Sequence, residues 1–401
     1  MRIAALIAGI LFCLSAILDA FQTIILPRRP TGRFRITRIF YVVTWSPWAA
    51  LARHVRNPKL REQIYSTFGP GSLLLLLVVW AMLLVSGFAL LFYSLGSPFV
   101  DALMRPGLIG ELRTDLYVSG TTLFTLGLGD VVPRTLAARG LLILESATGL
   151  GLVALVIGYV PVLYGAFSHR EISVALLDAR AGSPPTSTEL LRRHSFAGGQ
   201  EALVTLLAEW ERWSAEILES HISYPILCYY RSQHDNQSWL SALTAMLDSC
   251  AMLISVVPGA ASRQAQLTFA MGRHALVDLG HVFHIESKEA ALRASGGPDR
   301  LPPDNFERVC DLMLEANLRL CGDPEAPARL HALRALYEPQ AQALADYLGM
   351  SLPGWIPEPR AKDQWKTVEA VRSQAASIFK NKETVISPQA EALHLHADEH
   401  R

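Results

Sequence analysis

The sequence predicts an all-α protein, with membrane-spanning helices up to about residue 170 and a helical domain in water after them. Three observations carry that prediction. Apolar runs at Ile3–Leu26, Leu73–Leu95 and Leu141–Phe167 can each cross an apolar bilayer core of about 30 Å at about 1.5 Å per helical residue. Further on, apolar residues recur at spacings of three and four, as in Leu203, Leu206, Leu207 and Trp210, the period of a helix. No stretch alternates with the period of two that a half-buried strand needs. A chain of 401 residues that is 51% hydrophobic and 18% charged is too apolar for an ordinary soluble protein.

Composition also excludes some functions. Lys+Arg 36 balances Asp+Glu 36, so the chain has no basic footprint for nucleic acid. Cys13, Cys228, Cys250, Cys310 and Cys321 form no CxxC or other zinc spacing, and four of them are expected as reduced thiols in a cytosolic domain.

In order along the chain, Ile3–Leu26 is interrupted by Asp19, a costly residue in lipid unless it faces protein or the interface. Arg2 before an apolar run also fits a signal peptide. The arginines that follow, Arg28, Arg29, Arg33, Arg35 and Arg38, favour a retained span with its N-terminus outside. Ile39–Ala52 is short for a span and contains Pro47. That length suits an interfacial helix, with Trp45 and Trp48 at the headgroup boundary. Arg53, Arg56, Lys59 and Arg61 follow, so both ends of the segment are expected to be cytoplasmic. A fourth span over 39–52 is the rival reading, and it places the N-terminus inside.

Leu73–Leu95 then runs outward, and Gly96–Arg113 is expected as an external connection. Asp115–Phe124 reads as a short helix, and Leu141–Phe167 returns. Between these spans lies Thr121-Thr122-Leu123-Phe124-Thr125-Leu126-Gly127-Leu128-Gly129-Asp130. Gly127 and Gly129 tolerate positive φ, which allows the backbone to turn its carbonyls toward one axis. A Gly-rich turn joining two helices is the plainer alternative.

Held between two spans and followed by Pro133, this segment resembles the pore loop of potassium channels. The common form there is T-V-G-Y-G-D, against Thr125-Leu126-Gly127-Leu128-Gly129-Asp130 here. The resemblance covers about residues 70–170. The stretch Asp19–Arg29 is also similar to the start of bacterial potassium-channel-family proteins with an added N-terminal helix. The fold implied is a membrane pore-loop channel unit: outer helix, pore helix and filter, inner helix.

The resemblance implies that backbone carbonyls of Thr125, Leu126, Gly127, Leu128 and Gly129 replace the water of a dehydrated ion, one ring per residue from four loops. The Thr125 hydroxyl adds an inner ring. Leu126 and Leu128 point away from the axis and pack behind the filter. Asp130 concentrates cations at the outer mouth, and the C-terminus of the pore helix aims about half a negative charge at the cavity. Gly149 and Gly151 stand where resembling channels carry a gating hinge, with close helix packing as the alternative. Pro161 weakens the inner helix further along. Glu145 faces either the pore helix or the lipid interface.

One chain supplies one loop, so a homotetramer in a lipid bilayer is implied. Potassium is the permeating ion, and no cofactor or further metal is expected. The sequence departs from the family at Leu128, where an aromatic is usual, and at Phe124, where a second Thr is frequent. A weakly selective cation channel is therefore one alternative. A non-conducting sensor or scaffold, whose helical domain binds a partner, is another. No apolar run carries a basic residue at every third position, so no voltage sensor is expected.

The expected division is 1–27 N-terminal span, 28–70 basic linker with an interfacial helix, 71–170 pore domain, 171–187 linker, 188–380 cytosolic helical domain and 381–401 polar tail. Helices are expected over Glu201–Ser220, Trp239–Val257, Ser262–Ser287, Pro303–Leu320, Ala328–Leu348 and Gln364–Phe379. The domain has no G-x-G-x-x-G, P-loop, HExxH or GxSxG, so no enzymatic chemistry is expected. Asp278, His281 and His284 are spaced by three but rotate off one helix face. They are read, like His394, His396 and His400 in the tail, as solvated or partly buried residues. Tyr224–Tyr230 is read as a core-packing loop joining two helices, with a ligand or subunit contact as the alternative. The domain's regulatory ligand or partner is not identified by any motif.

Overall fold

The computed structural model describes residues 1–26, 35–101, 112–233, 237–285 and 299–357. Helix α1 (Arg2–Ile24), α3 (Pro58–Ser94) and α5 (Leu136–Ala181) are long and apolar enough to cross a membrane. Between them lie α2 (Ile36–His54) and α4 (Leu112–Leu123). Proline at the first turn of α3 suits a helix start, and the Asn57 side chain caps it by accepting from Lys59 N at 3.0 Å. Thr135 caps α5 in the same way through Ala138 N.

Small residues let α1 lie against α3. A Cβ placed on Gly9 would stand 2.8 Å from the Gly87 carbonyl, and one on Gly87 would stand 2.6 Å from Cys13 Sγ, the close backbone approach on which membrane helices rely. Asp19, 4% exposed, faces protein. Its carboxylate accepts from Trp80 Nε1 at 2.9 Å, from Thr37 N at 3.1 Å and from Thr37 Oγ1 at 2.5 Å. It thus ties α1 to α2 and α3, and the charge in the apolar run is satisfied within the protein.

Helix α2 is longer than the apolar run suggested, and both its tryptophans donate to protein carbonyls. Trp45 is buried and donates to the Tyr347 carbonyl at 3.0 Å. Trp48 donates to the Ile64 carbonyl at 2.8 Å. The apolar face that α2 leaves uncovered carries Ile39, Val42 and Val43 instead. The pore region also holds strands that the period rule missed. β1 (Phe99–Asp101) pairs antiparallel with β2 (Val131–Pro133), in register Phe99↔Pro133. Three-residue strands are too short to show alternation.

The helical domain follows as α6 (Ser187–Arg193), α7 (Gly199–Ser223), a 3-10 turn at Pro225–Tyr229, α8 (Trp239–Ser255), α9 (Ser262–Val282), α10 (Pro303–Glu315), α11 (Ala326–Ala335) and α12 (Glu338–Leu348). The turn after Ala181 is buried, with Gly182 at φ 86, so the domain starts packed on the end of α5. The single helix expected over Ala328–Leu348 is two, broken at Leu336 and Tyr337 ahead of Pro339. The helices expected over Ser262–Ser287 and Pro303–Leu320 end early, at Val282 and Glu315. The stretch Gln364–Phe379, the tail and its histidines lie outside the described residues.

α8 is buried along nearly its whole length. Its Asp248 is matched by a buried cluster in which Arg300 donates to Asp248 Oδ2 at 2.6 Å and to Glu338 at 3.2 Å, and Tyr337 donates to Asp248. A charge so deeply buried is tolerated only when paired and hydrogen-bonded. Cys228 is fully buried, and that burial pushes its thiol up to about 12, consistent with a reduced, unreactive cysteine. Asp278 pairs with His274 at 3.6 Å and His281 at 3.7 Å, both more than half exposed. Among the described residues no cluster has the makings of a metal site.

Candidate functional site

The site is the loop that leaves α4 and enters β2. Ser119 on α4 donates to the Val85 carbonyl of α3 at 2.9 Å and also to Glu145 of α5. Glu145 is fully buried, facing the pore helix and not the lipid interface. In the first turn of α4, Asp115 is buried and accepts from Ser97 Oγ at 2.7 Å. Polar contacts therefore fix the short helix to both long ones, where hydrocarbon would otherwise leave these groups unsatisfied.

Past the helix end, backbone turns carry the chain out of α4. Thr125 N donates to the Thr122 carbonyl and Leu126 N to the Thr121 carbonyl. Thr125, Gly127 and Gly129 then have φ of 55, 55 and 74, while the intervening Leu126 and Leu128 do not have positive φ. Left-handed backbone at every second residue turns successive carbonyls toward the same side. Glycine takes this conformation freely, but Thr125, being β-branched, does so at a cost of about 1–3 kcal/mol.

Among the described residues of one chain nothing covers this segment. Leu126 and Leu128 are each 61% exposed, so the packing expected behind the filter is not supplied by the described residues of their own chain. Phe124 is exposed as well. At the outer end, Asp130 accepts from Tyr117 OH at 2.8 Å through one carboxylate oxygen and from Val131 N at 3.0 Å through the other. The pairing of β1 with β2 pins the exit of the loop.

Gly149 and Gly151 differ sharply. A Cβ on Gly149 would lie 2.0 Å from the Leu123 carbonyl, whereas one on Gly151 would meet nothing within 4 Å. Gly149 is thus a packing position where α5 crosses the end of α4. α5 is one continuous helix through Gly149, Gly151 and Pro161.

Some residues that tie α5 to the helical domain carried no sequence motif. Arg170, fully buried on α5 just beyond the apolar run, donates to the Leu227 carbonyl at 2.9 Å and to the Tyr230 carbonyl at 2.9 Å. It also bonds Glu171 and contacts His221 Nε2 at 3.3 Å. Burial and the neighbouring guanidinium hold His221 well below the ordinary histidine range. Tyr224–Tyr230 is a core-packing loop, as one of its two readings had it. Tyr229 stacks on Tyr41 with centroids 5.6 Å apart and packs edge-on to Trp45 at 4.8 Å. The only advance signal was an Arg-Glu pair, Arg170-Glu171, separated by two residues from an apolar run.

Comparison with known proteins bears on this arrangement. Residues 78–163 match a family model described as "Ion channel", of the two-transmembrane pore-loop type. The chain is also similar to the uncharacterized membrane protein YdjJ of Bacillus subtilis, 24% identical over 336 residues, covering 81% of this chain and 94% of that one. No solved structure matches the chain significantly. The matched segment holds the second half of α3, all of α4, the loop and the first part of α5, so the part of this helical, multi-pass membrane protein that resembles an ion channel is the pore-loop unit over 78–163.

Proposed function

We propose that this protein is a potassium-selective channel that passes K+ down its gradient through a pore shared by four copies. The supporting observation is the alternation of positive φ at Thr125, Gly127 and Gly129, which aligns carbonyls as a dehydrated monovalent cation requires. In this reading Thr125, Leu126, Gly127, Leu128 and Gly129 supply the ion sites. Asp130, held by Tyr117, sets the field at the outer mouth. A single loop offers one carbonyl per level, so the remaining oxygens come from other copies. The exposed Leu126 and Leu128, with Ile143, Leu144 and Ile157 on α5, are the apolar surface that such copies or lipid would cover. Gly151, with open space around it, serves as the gating hinge, and Gly149 holds the inner helix on the pore helix. The N-terminus lies outside, and the helical domain is cytoplasmic.

The absence of an aromatic at Leu128 favours a second reading, a weakly selective cation pore, because four leucines make a softer cuff than four tyrosines. Flux in proteoliposomes, with rubidium in competition with sodium, separates the two. Potassium selectivity fails if sodium passes as readily. Gly127→Ala is expected to abolish flux with assembly retained, since an L residue at that φ is strained. A particle in lipid that is monomeric or dimeric would overturn the shared pore.

A further inference from the structure

A cavity of about 320 Å³ lies at the seam between the pore helices and the helical domain. That is the lower end of the range for small-molecule sites. One wall is the end of α2 and the start of α3, with Arg53, Arg61 and Tyr65. The other is α8, α12 and the chain before α8, with Trp239 and Arg231. We propose that this cavity binds a small, water-soluble phosphate-bearing anion.

The chemistry of the lining carries the proposal. Three guanidiniums face two carboxylates, Glu62 and Asp346. Arg231 is held in place, donating to the Leu348 carbonyl at 2.5 Å, sitting 3.5 Å from Glu62 and lying over the Tyr65 ring at 4.6 Å. Arg53 and Arg61 form no ion pair among the described residues. Arg53 and Arg61 are exposed, so their N–H groups can turn to an occupant of the cavity. A guanidinium only donates, so the complement is a group rich in acceptors and negative charge. Phosphate is that group, and free guanidiniums suit it geometrically.

Position decides between a lipid headgroup and a soluble anion. Arg61 stands twelve residues before Leu73, where the apolar run of α3 begins, which is about 18 Å along the helix. The headgroup layer extends only about 5–8 Å beyond the apolar core. The cavity therefore opens to water. An occupant would bridge α2 and α3 to α8 and α12. Any influence of that bridge on the pore rests on the channel reading, but its binding does not.

Calorimetry with sodium pyrophosphate tests the site on the full chain in phosphatidylcholine nanodiscs. The expected result is saturable binding that weakens with ionic strength. The double substitution Arg53→Gln/Arg61→Gln removes two exposed side chains and should weaken it by roughly tenfold, since two charge-assisted contacts are lost. Adding phosphatidylglycerol to the nanodiscs should leave the affinity unchanged. No saturable binding, or equal affinity in the double variant, overturns the site. Displacement of pyrophosphate by phosphatidylglycerol overturns the soluble-anion assignment. Because the readout is binding without ion flux, its failure would leave the conduction reading untouched.

Discussion

Replacing Arg170 with Met tests how the inner helix is tied to the helical domain. The guanidinium donates to the carbonyls of Leu227 and Tyr230 and to Glu171, all at 2.9 Å, the Tyr230 bond part-buried and the other two buried. Hydrogen bonds to a charged group contribute about 1.5–3 kcal/mol each. Breaking a buried pair by removing one partner costs about 3–5 kcal/mol. These terms overlap, because the same side chain makes every contact, and Met refills part of the volume. The expected loss is about 4 kcal/mol, or about a thousandfold in the equilibrium between a docked and an undocked 225–230 turn.

Hydrogen exchange reads this directly. The Leu227 amide is bonded to the Tyr224 carbonyl at 3.0 Å and the Tyr230 amide to the Leu227 carbonyl at 3.1 Å, so both report on the turn. Their exchange should accelerate by up to about a thousandfold in Arg170→Met, while amides in the buried part of α9 stay protected. Arg170→Lys should fall between, because an ammonium keeps the charge but cannot fork to two carbonyls. Exchange at Leu227 and Tyr230 within about threefold of wild type would refute the reasoning. So would an equal rise in α9, which would mean that Arg170 stabilises the domain as a whole.

Two further predictions concern single positions. Gly149→Ala places a Cβ 2.0 Å from the Leu123 carbonyl. α5 must then move off the pore helix by about 1 Å or more, as ordinary packing density requires, and thermal stability in detergent should drop by several degrees. Gly151→Ala has open space around it and should fold normally; equal melting points for the two variants would contradict the packing assigned to Gly149. His221 supplies a pH dependence. Its folded pKa lies below the ordinary value, so the unfolded chain takes up the proton first. The domain should lose stability as pH falls below about 6.5, at up to about 1.4 kcal/mol per unit, and keep it above. The slope of denaturation midpoint against pH between 7.5 and 5.5 should be shallower in His221→Phe, and an identical slope would exclude His221 as the source.

The spans and the loop could be read from the sequence because hydrocarbon is a demanding solvent. It asks for long apolar runs, and it makes glycines at alternate positions and buried polar residues such as Asp19 conspicuous. What those polar residues touch could not be read in the same way. Glu145 had two admissible positions, and only the approach of α4 to α5 placed it on Ser119. Trp45 and Trp48 have side chains suited to a headgroup layer, yet they turn toward Tyr347 and Ile64, because the helical domain and the start of α3 pack against α2. Gly149 and Gly151 are indistinguishable by composition, and a single helix crossing separates them. The seam cavity joins Arg53 and Arg61 to Arg231 and Trp239, far apart along the chain, so no local pattern could announce it. The sequence alone determined which segments can leave water, and which backbone can expose a row of carbonyls, since both depend on local residue chemistry. Tertiary structure decided every polar pairing across elements, because partners for a buried charge are selected by proximity in space.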